Sequence, residues 1–300
     1  WSESAAASIL TACRNKPGKV TEESKPSTQS APQLFDLTSL QREANARFGF
    51  SAKNTLGLAQ ALYEKHKVLT YPRTDSRALP EDYLPTVQQT LEVLAENSDN
   101  YYPFASQILN NGWVKPNKKI FDNSKISDHF AIIPTLQPPK SLSEPEQKLY
   151  DLVVRRFMAI FFPAAEFKVT TRITEVSGHQ FKTEGKVLVS PGWLSVYGKS
   201  SQEDKELVPV GEKETVQTES IEFAALKTKP PARYSEATLL SAMEGAGKLI
   251  DDEDYREAMS DKGLGTPATR AAIIEGLLAE KFMVREGREL IPTAKAFQLM

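Results

Sequence analysis

The stretch "LTYPRTDSR", Leu69 to Arg77, sets one tyrosine among arginine, aspartate and hydroxyl side chains. Tyr71 there reads in two ways: as a core aromatic whose hydroxyl has found a polar partner, or as a nucleophile. A phenol titrates near 10 and attacks poorly at neutral pH unless something stabilises its anion. Arg73, two residues on, carries a permanent charge that can do this, or can grip a phosphate through paired N–H donors. Asp75 can orient Arg73, Thr74 and Ser76 can touch a phosphate or sugar, and Arg77 adds a second fixed charge. The inventory suits phosphoryl transfer to tyrosine. The plainer reading is a polar loop with Asp75 as a turn or helix cap.

Three further segments bear on the choice. "SDHFAIIPT", Ser127 to Thr135, places His129 beside Asp128, so the imidazole can carry charge near neutral pH and meet a phosphate, or can be a hydrogen-bonded structural histidine. In "KPPARYSEATLL", 229–240, two prolines stiffen the chain and Ser235 caps a helix beside Arg233. In "KGLGTPATRAAII", 262–274, Gly263 and Gly265 free the backbone at a helix start, where N–H groups attract anions; Thr266, Thr269 and Arg270 add hydroxyls and a charge. Each of the last two also reads as an ordinary capped helix.

Composition sets bounds around these motifs. Hydrophobic residues make up 40% and charged residues 25% of 300, so the chain can fill the cores of two or three domains. A net charge of −2 does not advertise a polyanion ligand, so any nucleic-acid site must come from local clustering. Near the motif, Arg42, Arg47, Lys53, Lys65, Lys67, Arg73 and Arg77 face only Glu43, Glu64 and Asp75. The single cysteine, Cys13, excludes an internal disulfide and points to a reducing compartment. No apolar run of about eighteen residues is present, so no membrane-spanning helix is expected, and no signal-peptide pattern is visible. A start at Trp1 and a stop at Met300 inside "TAKAFQLM" suggest a fragment of a larger protein.

Along the chain, the Pro-, Ser- and Lys-rich residues 15–34 read as loop or extended connection. Thr38 or Ser39 can cap a helix that Gly49 ends, and Ser51 caps the next. Pro80 reads as a first-turn proline, and Ser143 with Glu146 as a capping box opening a helix that runs to Pro163. From Glu166 the period changes to two, with Phe167, Val169, Thr171 and Ile173 on one face; "QFKTEGKVLVS", "ELVPV" and "ETVQTESIEFAAL" continue in strand style to 228. A helix at Ser235, a helix at Pro267 and two short strands around Glu286–Gly287 outline a winged helix. The expected fold class is α+β multidomain, with a helical domain inserted into a β-rich one and a winged-helix-like segment after it.

Taken together and in this order, the four motifs resemble type IA DNA topoisomerases, with details closest to the bacterial topoisomerase III branch, which shares the proline after the tyrosine. The resemblance runs from about Leu34 to the end. It implies a β-rich arch at 1–37 and 166–230, a helical gate domain at 38–165 and the truncated start of a DNA-binding helical domain at 231–300. It implies that Tyr71 is the nucleophile that forms a 5′-phosphotyrosine bond, that Arg73 supports it, and that His129 stands near the scissile phosphate. Thr74, Asp75 and Thr269 match polar residues of the same site, and Gln60 matches a nearby glutamine at a spacing one residue longer. Ser76, Arg77, Arg233, Thr266 and Arg270 are expected to meet DNA.

The resemblance also implies magnesium, held in the full-length enzyme by an acidic cluster in a preceding domain. No Asp-x-Asp strand pattern occurs here, and "DDEDYRE" at 251–257 reads as a solvated helix or loop, so the fragment is expected to bind no metal and to be inactive alone. The expected partners are single-stranded DNA and, for the full-length enzyme, a helicase; no membrane is expected, and the place is the bacterial cytoplasm at the nucleoid. Two other readings stand beside the enzyme: a non-cleaving single-strand-binding module and a structural hinge.

Overall fold

The computed structural model describes residues 2–198, 206–211, 214–249, 253–260 and 263–299. In chain order the elements are α1 (Glu3–Cys13), β1 (Pro17–Gln29), α2 (Leu37–Phe48), α3 (Ala52–Glu64), α4 (Leu84–Asn97), α5 (Tyr102–Asn110), α6 (Glu144–Ala159), β2 (Ala165–Val176), β3 (His179–Ser190), β4 (Thr215–Gln217), α7 (Glu236–Glu244), α8 (Glu253–Ser260), α9 (Pro267–Ala279), β5 (Met283–Glu286), β6 (Glu289–Pro292) and α10 (Ala294–Leu299). They fall into two compact units. One comprises residues 1–31 and 163–230, the other 32–162 and 231–300. Residues 231–300 thus fall in the same compact unit as the tyrosine-bearing helices.

The first unit is an antiparallel sheet in the order β3-β2-β1-β4. Residues 15–34 read as loop because they are polar and carry prolines. Most of them nevertheless form β1, paired with β2 without interruption from Gly18 to Gln29. The strand shows no alternation because nearly all of it faces water. Pro26 is tolerated because β4 covers only Pro17 to Lys19, so further along β1 is an edge. α1, also unread in the sequence, buries Cys13, whose Sγ donates to the Val176 carbonyl. "ELVPV" forms no strand, and of the following stretch only Thr215–Gln217 does. At the far end of the sheet, Trp193 Nε1 donates to the Gln29 carbonyl at 2.8 Å.

The second unit holds the tyrosine motif on a bed of helices. α2 is capped by Asp36 rather than Thr38 or Ser39: the carboxylate accepts from the Ser39 N–H at 2.7 Å, and the Ser39 hydroxyl answers the Asp36 N–H. Gly49 closes the helix with φ 72°, and Ser51 caps α3. Pro80 precedes a single 3₁₀ turn, and Pro85 opens α4. The Ser143–Glu146 capping box starts α6, which ends at Ala159, before Phe161, Phe162 and Pro163. Ser235 and Thr266 cap α7 and α9, and β5 and β6 pair as the expected hairpin. Glu236, buried at the start of α7, accepts from the Ala52 N–H at 2.7 Å and from Arg285 Nε at 2.8 Å, which ties the later helices to α3. In the acidic run, Glu253 onward lies in α8, and Asp251 and Asp252 lie outside the described residues.

Candidate active site

Residues 69–79 run extended between α3 and the 3₁₀ turn, bridged by Leu69 to Pro134 and by Leu79 to Phe121. Burial along the segment has period two. Pro72, Thr74, Ser76 and Ala78 point inward, while Arg73 and Asp75 are exposed and Arg77 half-buried. The inward hydroxyls replace the missing sheet partners. Thr70 Oγ1 donates to the Ala131 carbonyl and accepts from the Ile133 N–H. Thr74 Oγ1 donates to the His129 carbonyl at 2.9 Å, and Ser76 Oγ to the Lys125 carbonyl at 2.9 Å. These bonds clip the tyrosine segment to the histidine segment. Thr74 and Ser76, expected to meet DNA, are each 3% exposed, and here their hydroxyls hold the backbone of the neighbouring segment.

The clipping sets two rings together. The Tyr71 and His129 centroids lie 4.2 Å apart, and the Tyr63 ring meets Tyr71 edge-on at 5.4 Å and 80°. These rings, with Lys67, Leu69, Thr70, Phe130 and Thr135, line an open pocket of about 360 Å³. Beside it, the amide oxygen of Gln60, assigned toward its donors, accepts from Arg73 at 2.8 Å (Nη2) and 3.3 Å (Nε). The helix before the motif therefore orients the guanidinium. Asp75 does not pair with Arg73; it accepts from Ser127 Oγ at 3.4 Å.

The remaining predicted residues divide. Asp75, Thr266 and Arg270 line a second pocket of about 450 Å³ with Lys125, Ser127 and Glu244. Arg270 is only 2% exposed. It donates to Thr38 Oγ1 and to the Leu264 and Gly265 carbonyls, which pins the glycine-rich turn. Burial lowers its pKa, and Glu244 and Asp36 oppose that shift. Arg77 is bound at 2.6 Å to the buried Asp36 and lies 3.5 Å from Glu244. Arg77 and Arg270, expected at DNA, are thus engaged as internal ties. Thr269 completes the capping box with Thr266 on an exposed surface. Arg233 is exposed, 3.8 Å from Glu289, and lines neither pocket. Sequence reasoning missed Tyr63 and Lys67. The available signal was position: Tyr63 follows Gln60 by three residues on α3, hence on the same face.

The DNA topoisomerase family matches residues 1–300. The chain belongs to the type IA DNA topoisomerase family. It is 40% identical over 312 residues to DNA topoisomerase 3 of Bacillus licheniformis, covering 100% of this chain and 42% of that one. Against DNA topoisomerase 3 of Bacillus subtilis the identity is 41% over 305 residues, 97% of this chain and 42% of the other. The chain therefore spans about two fifths of the length of these curated topoisomerases. Full-length topoisomerase I from Thermotoga maritima superposes with a TM-score of 0.70 over 98% of this chain and 45% of its own, at 22% identity, which shows a shared topoisomerase fold mixing helices with antiparallel sheet. Among the described residues, no helix is long and apolar enough to cross a membrane.

Proposed function

We propose that the chain is the tyrosine-bearing part of a type IA topoisomerase of the topoisomerase III kind, and that Tyr71 cleaves single-stranded DNA. The Tyr71 oxygen bonds to a backbone phosphorus and gives up its proton. The P–O3′ bond breaks, and the departing O3′ takes up a proton. The strand's 5′ phosphate stays on Tyr71, and the reverse exchange reseals the strand after another strand has passed. Arg73, oriented by Gln60, offers N–H donors to the phosphate oxygens as charge builds there. His129 stands against the attacking ring and can donate to the same phosphate. On this reading 1–37 and 166–230 form the arch, 38–165 the gate, and 231–300 the start of a DNA-binding domain.

The observation that carries the reading is the approach of the Tyr71 and His129 rings to 4.2 Å at the mouth of an open pocket, with Arg73 clasped by Gln60 beside it. Magnesium would neutralise charge on the phosphate and the leaving oxygen. Among the described residues, no group of three or more His, Cys, Asp or Glu side chains is placed to hold a metal, so these residues do not fit the ion and no step is assigned to it. The same observation favours a second reading for the 300 residues by themselves, as a module that holds single strands without relaxing supercoiled DNA.

Adduct formation on a labelled oligonucleotide tests the proposal. In the full-length protein Tyr71→Phe abolishes the covalent species. It costs at most about 0.5–1.5 kcal/mol of stability, the net worth of one hydroxyl hydrogen bond. A Tyr71→Phe protein that still became covalently attached would put the nucleophile elsewhere.

A further inference from the structure

The pocket beside Tyr71 has a wall and a rim that the cleavage chemistry does not use. The wall is the ring of Tyr63, perpendicular to Tyr71. The rim is Lys67, whose ammonium lies over the Tyr63 ring, 5.6 Å from its centre, the contact that an entering base would replace. Among the described residues no carboxylate pairs with this ammonium. Its backbone is unusual as well: Lys67 has φ 60°, a conformation that glycine adopts freely and a residue with a Cβ does not. The turn is held by Thr135, whose hydroxyl donates to the Lys67 carbonyl at 2.6 Å and whose N–H donates to the Val68 carbonyl. A strained backbone that carries a long cation to the edge of an aromatic pocket points to use of the side chain.

We propose that this pocket is a nucleotide subsite: one unpaired base stacks on Tyr63, and the backbone phosphate next to it rests on Lys67. The inference rests on the proposed reading that Tyr71 works on single-stranded DNA, and it names where the strand beside the nucleophile is held. Aromatic faces take unstacked bases of any kind, which suits a single strand and not a paired one. The threonine hydroxyls of the pocket are committed to backbone groups, Thr70 to Ala131 and Ile133, and Thr135 to Lys67 and Gln137. Neither is free to read a base edge. The subsite therefore detects that a base is present and is tolerant of its identity.

The test compares binding of the chain to an oligothymidylate and to a sugar–phosphate strand of equal length without bases, by fluorescence anisotropy across a salt series. Wild type prefers the strand with bases. Tyr63→Leu loses about 5- to 100-fold on that strand and little on the abasic one, while Tyr63→Phe, which keeps the ring, binds as wild type does. Lys67→Gly weakens both strands alike, lowers the salt slope by about 0.7 and does not lower the melting temperature, because glycine accepts the turn. Equal loss on both strands for Tyr63→Leu, or no loss on either, overturns the subsite, as does a wild type that binds neither strand. Because binding is read without cleavage, these results stand apart from the adduct test of Tyr71: the subsite can fail while the nucleophile holds, and the reverse.

Discussion

The sheet unit and the helical unit solve stability in opposite ways. Of the thirteen residues of β1, only Gly18 is buried, whereas α6 buries ten of its sixteen. The sheet is anchored at its two ends. Cys13, Gly18 and Val176 pack at one, and Ala165, Phe167, Trp193, Leu194 and Val196 at the other. Between them the exposed β1 runs along a half-buried β2, held by ladder hydrogen bonds and by cross-strand pairs such as Ser24 with Thr170 at 2.8 Å and Arg172 with Glu22. Such pairs contribute about 0.2–1 kcal/mol each. The helical unit is instead close-packed, so a lost side chain leaves a void that its neighbours cannot fill. A motif that needs fixed ring distances sits in the second kind of structure.

The most severe way to break this comparison is Phe157→Ala. Phe157 is fully buried, edge-on to Phe161 at 5.4 Å, and its truncation costs about 3–5 kcal/mol. Val169→Ala, in the half-buried middle of β2, costs under about 1 kcal/mol. Chemical denaturation of both variants measures the contrast, and equal losses would erase it. Gly192→Ala probes an anchor. With φ 47°, its Cβ would meet the Pro163 and Ala164 carbonyls at 2.5 Å, so a loss of about 1–3 kcal/mol is expected. Gly178→Ala at the β2–β3 turn, with φ 78° and open space around it, loses only about 1–2 kcal/mol, the conformational cost alone.

A last contrast concerns pH. The Glu146 carboxylate is held down at about 2, first by the Ser143 hydroxyl and backbone N–H and then by His66. A depressed carboxylate stabilises the fold above its ordinary value of 4.5 and loses that contribution as pH falls toward 2. Thermal melting should therefore drop across that window. Ser143→Ala should cost about 1 kcal/mol at neutral pH and flatten the drop; an unchanged acid profile would remove the capping box as its source.

Features written locally were legible. The caps at Ser51, Ser143, Ser235 and Thr266 were read correctly because cap and partner lie within three residues. β2 and β3 are legible as strands for the same reason, although burial alternates only at the start of β2, over Ala165 to Lys168. β1 was missed because a strand wet on both faces shows no alternation. The tie from Arg270 to Thr38 is invisible in the sequence because the two lie 232 positions apart. Thr74 and Ser76 fit any hydroxyl-rich motif, and their bonds to the carbonyls of His129 and Lys125 join positions 55 and 49 residues apart, beyond the reach of a local pattern.

The alternating direction of its side chains gives "PRTDSRA", 72–78, two kinds of genetic lesion. On the proposed cleavage, a substitution of Arg73, on the outward track it shares with Asp75, leaves a protein of normal abundance that has lost activity, and it is silent to any screen that counts folded molecules. A substitution on the inward track, Thr74 or Ser76, unclips the segment and is seen first as lower yield. Loss of one codon does both at once, because every residue beyond the gap changes sides. Variants found at neighbouring positions therefore belong to different phenotypic classes, and parity sorts them before any assay is run.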